Sequence, residues 1–157
     1  LFPDQDADEA RLRLASCLLS DIAWREHPDY RAEQALGRIL HFPFLGIGHG
    51  ERVFLATAAF IRYGGSERAK KAARYQRLMT PEAARRARIL GLAQRLAYQV
   101  SGATRAVLAR SALEFDGADA LRLILPDDGA APRGAAVERR FQALAEALGA
   151  GHATIEG

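Results

Sequence analysis

The nearly unbroken apolar run Val53-Phe54-Leu55-Ala56-Thr57-Ala58-Ala59-Phe60-Ile61 constrains this chain more than any other feature. It falls well short of the roughly 18 residues a bilayer span requires, so its only refuge from water is a protein interior. A helix over 51–63 is apolar nearly all round, which predicts a central and most buried element, ended by Gly64-Gly65. A chain of 157 residues, 49% hydrophobic and 26% charged, has enough material to cover such a helix within one domain, with or without a small appendage.

The covering elements follow from periodicity and punctuation. Residues 8–25 carry Leu12, Leu14, Leu18, Leu19 and Ile22 at helical spacing, with Asp8 and Glu9 favouring the start, and Pro28 breaks the pattern. A second helix fits 30–41, with Ala32, Ala35, Leu36, Ile39 and Leu40 inward. The segment 42–50 reads as a turn with Phe42, Phe44, Leu45 and Ile47 tucked beneath it. Ser66 is placed to cap a short basic helix over 67–77, and Thr80-Pro81-Glu82 forms an N-cap, a first-turn proline and an early carboxylate. The helix so opened runs to about Val100 and carries the stripe Ile89, Ala93, Leu96, Val100. A short helix follows near 103–109. The period then changes: 112–115 and 120–125 flank Asp116-Gly117, the signature of a β-hairpin. After a linker at 127–134, residues 135–148 predict a last amphipathic helix, and 150–157 a tail that frays. The expected fold is mainly α, with a helical domain over 1–110, a β-hairpin and closing helix over 111–149, and the tail.

Leu1 and the acidic opening LFPDQDADEA read as the start of a piece cut from a longer chain. No basic-then-apolar leader stands at this end and no apolar stretch is long enough for a membrane. A lone cysteine excludes an internal disulfide, so a cytoplasmic setting is expected. Cys17 itself reads as a small buried apolar side chain among Leu14, Leu18 and Leu19.

Net charge is only +3, but it is unevenly spread. Residues 62–95 hold ten Lys or Arg against two acids, a local +8 that suits a phosphate-bearing polyanion. Lys70, Lys71, Arg74, Arg88 and Arg95 are the expected contacts, and a solvated helix face is the competing account. Gly46-x-Gly48-x-Gly50 lacks the Lys-Ser/Thr of a phosphate loop and reads as a turn. No serine occupies a nucleophile elbow. Between the first two helices lie Asp21, His27, Asp29 and Glu33. Such residues can form a divalent-metal site if they converge, or can serve as caps and turn anchors.

The run LLSDIAWREHPDYRAEQAL, then RVFLATAAFIRYGG and RRARILGLAQRLAYQVSG, resembles the C-terminal region of the exopolyphosphatase/guanosine pentaphosphate phosphatases, the Ppx/GppA family. The hairpin LEFDGADALRLILP with its closing helix fits the same region, so the likeness spans about 10–149. The resemblance implies an HD-like helical domain that follows actin-like catalytic domains acting on phosphoanhydride bonds with magnesium. None of the actin-like phosphate loops occurs here, so no catalytic residue and no cofactor are expected in this chain. The resemblance also implies a degenerate HD-like site at Ser20, Asp21, His27 and Glu33: the His-Asp doublet reads Ser20-Asp21, and Glu33 stands where a histidine is common. Its implied roles are polyphosphate binding, contact with the protein's own N-terminal actin-like domains and homodimerisation, with no membrane. The alternatives are an independent HD-type metal-dependent phosphohydrolase and a helical nucleic-acid-binding module.

Overall fold

A computed structural model describes residues 6–66, 70–117 and 119–157, without the side chains of 70–72. It contains the helices α1 (Ala7–Leu18), α2 (Arg31–His41), α3 (His49–Arg62), α4 (Lys70–Gln76), α5 (Pro81–Ser101), α6 (Arg105–Leu108) and α7 (Ala135–Leu148). The strands are β1 (Ala112–Asp116), β2 (Ala120–Ile124) and β3 (His152–Glu156). The fold is therefore mainly α with a small β appendage. The chain divides into two compact units, 2–94 and 95–157, the division falling inside α5.

In the first unit α3 is the most buried helix, as its apolar run requires: Val53 and every residue from Leu55 to Arg62 are buried. Glu51 opens it by accepting a hydrogen bond from the Gly48 amide at 2.6 Å. Around it pack Ala35, Leu36 and Ile39 of α2. From α5, Gly91 comes so near that a Cβ there would lie 2.6 Å from the Ala58 carbonyl oxygen. Thr80 caps α5 through the Ala83 amide, at 3.1 Å, as its position predicts. The start expected for the basic helix at 67 lies outside the described residues.

The first helix corrects the reading from periodicity. It stops at Leu18 rather than near 25, and residues 19–26 continue as turns bonded three residues back, such as Ile22 N–H to Leu19 and Trp24 N–H to Asp21. Its inner face holds Leu12, Ala15, Ser16 and Leu19. Leu14 and Leu18 are exposed, at 62% and 78%. Cys17 is exposed too, not buried. A serine can replace leucine on the inner face because Gln94, from α5, donates to the Ser16 hydroxyl at 3.0 Å. In the 42–50 segment Phe44 and Ile47 pack on the core, whereas Phe42 and Leu45 face solvent.

In the second unit the hairpin forms where the Asp-Gly turn places it, with Gly117 at φ 69°. Leu121 and Leu123 of β2 are buried, and the opposite face carries Arg122 among Glu114, Asp116 and Glu156. The expected frayed tail is instead strand β3, parallel to β2, giving the order β1-β2-β3. Its cause lies in the hairpin. Gly149 ends α7 in the left-handed conformation, and Asp119 then takes the Gly151 amide on its side-chain Oδ1 at 2.7 Å. The Asp119 carbonyl accepts from the Gly151 and His152 amides as well, which aligns 152–156 along β2.

Candidate functional site

The segment that joins α1 to α2 carries Ser20, Asp21 and His27, three of the four residues expected at a degenerate HD-like site, and side chains of α2 and α3 hold it down. Arg38 donates to the Ile22 carbonyl at 2.8 Å and pairs with Glu26. Arg31 donates through Nε to the Glu26 carbonyl at 3.0 Å. Tyr63, just past α3, accepts the Ala23 amide on its hydroxyl at 3.2 Å. Burial raises the pKa of that hydroxyl, against the opposing pull of the Arg62 charge.

Arg62 is the centre of this arrangement. Its side chain is 7% exposed, yet its Nη2 donates to Asp21 Oδ1 at 2.6 Å. Its guanidinium also lies 4.2 Å from the centroid of the Tyr63 ring. A nearly buried cation needs an anionic partner, and Asp21 provides it. One oxygen of the Asp21 carboxylate is thus engaged by an internal guanidinium. Ser20 lies half-buried beside it. His27 is exposed, accepts the Asp29 amide on Nδ1 at 3.3 Å and packs its ring against Tyr30 at 5.2 Å. Glu33 is exposed on the first turn of α2. The structure does not bring Asp21, His27 and Glu33 together as a ligand set. Among the described residues no three His, Cys, Asp or Glu side chains are placed to share a metal ion.

The basic segment is less uniform than its composition. Arg62 is internal. Arg86 sits between Glu9 and Glu82, whose hydrogen bonds, that of Glu9 foremost, raise its pKa. Next to it is a cavity of about 290 Å³ lined in part by Leu12, Phe54 and Leu90. Its Glu9 and Glu82 balance its Arg13 and Arg86, so it has no net charge to draw a polyanion. Arg74 and Arg88 are exposed, on α4 and α5. Arg95, expected to be exposed, is half-buried and lies in the second unit. The side chains of Lys70 and Lys71 lie outside the described residues.

The second unit holds a cationic group of which composition singled out only Arg95. Arg95 and Gln99 stand one turn apart on α5, and Gln99 Oε1 accepts a hydrogen bond from Arg140 Nη1 of α7. Arg139 adjoins Arg140. Burial first, and then the charges of Arg95 and Arg139, hold the Arg140 pKa below the ordinary arginine range.

The family model "Exopolyphosphatase, C-terminal" matches residues 3–155. The chain belongs to that family. No curated protein matches it. Among the described residues no helix is long and apolar enough to cross a membrane.

Two features of this exopolyphosphatase C-terminal domain escaped the sequence. Arg62 counts as one more surface charge until its burial is known; its place at the end of an all-apolar helix was the available signal. Arg139 and Arg140 lie some forty residues from Gln99, and no local pattern links them.

Proposed function

We propose that this chain is a non-catalytic accessory domain of an exopolyphosphatase-type phosphohydrolase, which helps to hold polyphosphate and to dimerise the protein. The phosphoanhydride chemistry, with its magnesium, belongs to actin-like domains outside this chain, in a cytoplasmic protein. The helical unit is an HD-like scaffold that no longer carries HD chemistry. The observation that supports this reading best is the Asp21–Arg62 pair. An HD-type site needs its aspartate free to ligate metal, and here an internal guanidinium engages that carboxylate while Ser20 replaces the histidine.

Polyphosphate recognition rests on guanidinium groups, whose planar donors suit phosphate oxygens. Arg74, Arg88 and Arg95, with Lys70 and Lys71, are the proposed contacts. Each is individually weak in solvent, and their sum falls steeply as salt rises because binding releases counterions.

The test measures binding of long-chain polyphosphate by the purified chain over a salt series, beside duplex DNA, with a phosphatase assay in magnesium and in manganese. Expected are binding at low salt, preference for polyphosphate over DNA, weakening in Arg88→Glu/Arg95→Glu, and no turnover. Absence of binding, an unaffected double variant, or turnover that vanishes in Asp21→Ala would overturn the reading.

A further inference from the structure

We infer that Arg140, hydrogen-bonded to Gln99 of α5, forms with its chain neighbour Arg139 and with Arg95, one turn before Gln99, a discrete binding site for a short phosphoanhydride segment bearing several charges. The inference rests on the accessory-domain reading for the identity of the anion, while the site itself stands on the geometry of the second unit alone.

That geometry leaves three like charges without an internal counterweight. Arg95 and Gln99 share one side of α5, next to the buried Leu96 and Val100. Arg140 reaches across from α7, where the neighbouring Phe141 is buried. Its partner is an amide oxygen, which accepts the hydrogen bond but neutralises no charge. None of the three arginines makes an ion pair among the described residues, whereas Arg110 and Arg122 of the same unit find carboxylates. The contrast matters because acids were available: Glu138 precedes the pair on α7 and Glu146 follows it, yet neither is paired with them.

A half-buried guanidinium flanked by two others weakens the folded state, and a bound polyanion removes that penalty. A single oxyanion spans one fork of donors, whereas successive phosphates can meet three cations on two helices. Gln99 has its oxygen engaged by Arg140, which leaves its amide nitrogen as a further donor. The site is accessible, since Arg139 is exposed and Arg95, Gln99 and Arg140 are half-buried.

The experiment titrates the chain with tripolyphosphate, orthophosphate and long-chain polyphosphate by calorimetry at low salt, using wild type, Arg140→Gln, Gln99→Glu, Arg88→Glu and, as a control, Arg110→Gln. Wild type is expected to bind tripolyphosphate in preference to orthophosphate. Arg140→Gln should weaken it about tenfold or more, the loss of one charge-assisted hydrogen bond to an anion. Gln99→Glu keeps the packing and places a carboxylate beside Arg140, so it should weaken tripolyphosphate binding while raising Tm. A merely structural role for Gln99 would not move the two readouts in opposite directions. Arg110→Gln, in the same unit but paired with Asp128, should leave tripolyphosphate binding unchanged. The inference is overturned if wild type does not bind tripolyphosphate, if orthophosphate binds equally well, or if Arg140→Gln and Gln99→Glu bind as wild type does. Should long polyphosphate still bind, and weaken in Arg88→Glu, the accessory-domain reading survives that failure. Should it not bind at all, both fall.

Discussion

Removing Asp21 tests the commitment of that carboxylate to Arg62 directly. Asp21→Ala removes the carboxylate that accepts from a guanidinium 7% exposed, whereas Arg62→Met leaves a carboxylate that is 61% exposed and readily hydrated. A hydrogen bond to a charged group contributes about 1.5–3 kcal/mol, and the exposure of Asp21 lowers that range through solvent screening. The expected coupling between the two positions is therefore about 1–2 kcal/mol in a double-mutant cycle. For a chain of this length, Asp21→Ala alone should lower Tm by about 2–8 °C, at about 2–4 °C per kcal/mol. In the Arg62→Met background the same change should cost almost nothing. Urea unfolding followed by circular dichroism supplies all four free energies of the cycle. Additive effects, or a wild-type protein that manganese stabilises only while Asp21 is present, would refute the assignment of Asp21 as an internal counter-ion.

Gly91→Ala gains about 1 kcal/mol of helix propensity but drives a methyl to within 2.6 Å of the Ala58 carbonyl and 2.8 Å of Ile61 Cβ, so overpacking of about 1–3 kcal/mol should win. Chemical denaturation should show a less stable protein, and a stabilised variant would mean that the helices stand further apart. Asp119→Ala should cost about 1 kcal/mol and speed amide exchange across 152–156 while leaving α2 and α3 protected. Uniform protection in hydrogen-exchange mass spectrometry would count against Asp119 as the anchor of β3. Cys17 should react with a thiol reagent in the native protein at nearly the rate of the unfolded chain, and slow modification would show that it is covered.

The parts of the fold that announced themselves are those in which local preference and burial agree. The run of 53–61 could only be an interior helix, Thr80-Pro81-Glu82 could hardly begin anything else, and Asp116-Gly117 between alternating strands left one arrangement. The parts that stayed hidden depend on distant partners. Ser16 is buried because Gln94 satisfies it from 78 residues away, and that displaces Leu14 and Leu18 to the surface. The residues of β3 carry an unremarkable alternation until Asp119 captures the chain beside them. The same holds for the candidate sites. Asp21 was recognisable as a residue of interest, but the arginine that engages it lies 41 positions later. Arg140 stands out only once its hydrogen bond to Gln99, 41 positions earlier, is seen.

The parallel pairing of β2 with β3 also sets an order of events during synthesis. Ala120 must wait for His152, its partner in the ladder, while all of α7 is made between them. Until then the finished hairpin lacks its third strand, and a two-stranded ribbon in water is marginal at best. The helical unit, by contrast, is built from α1 to Gln94 of α5 and has its core residues in hand before the hairpin leaves the ribosome. The domain thus acquires its sheet last, in one late step of non-local pairing of the kind that folds slowly.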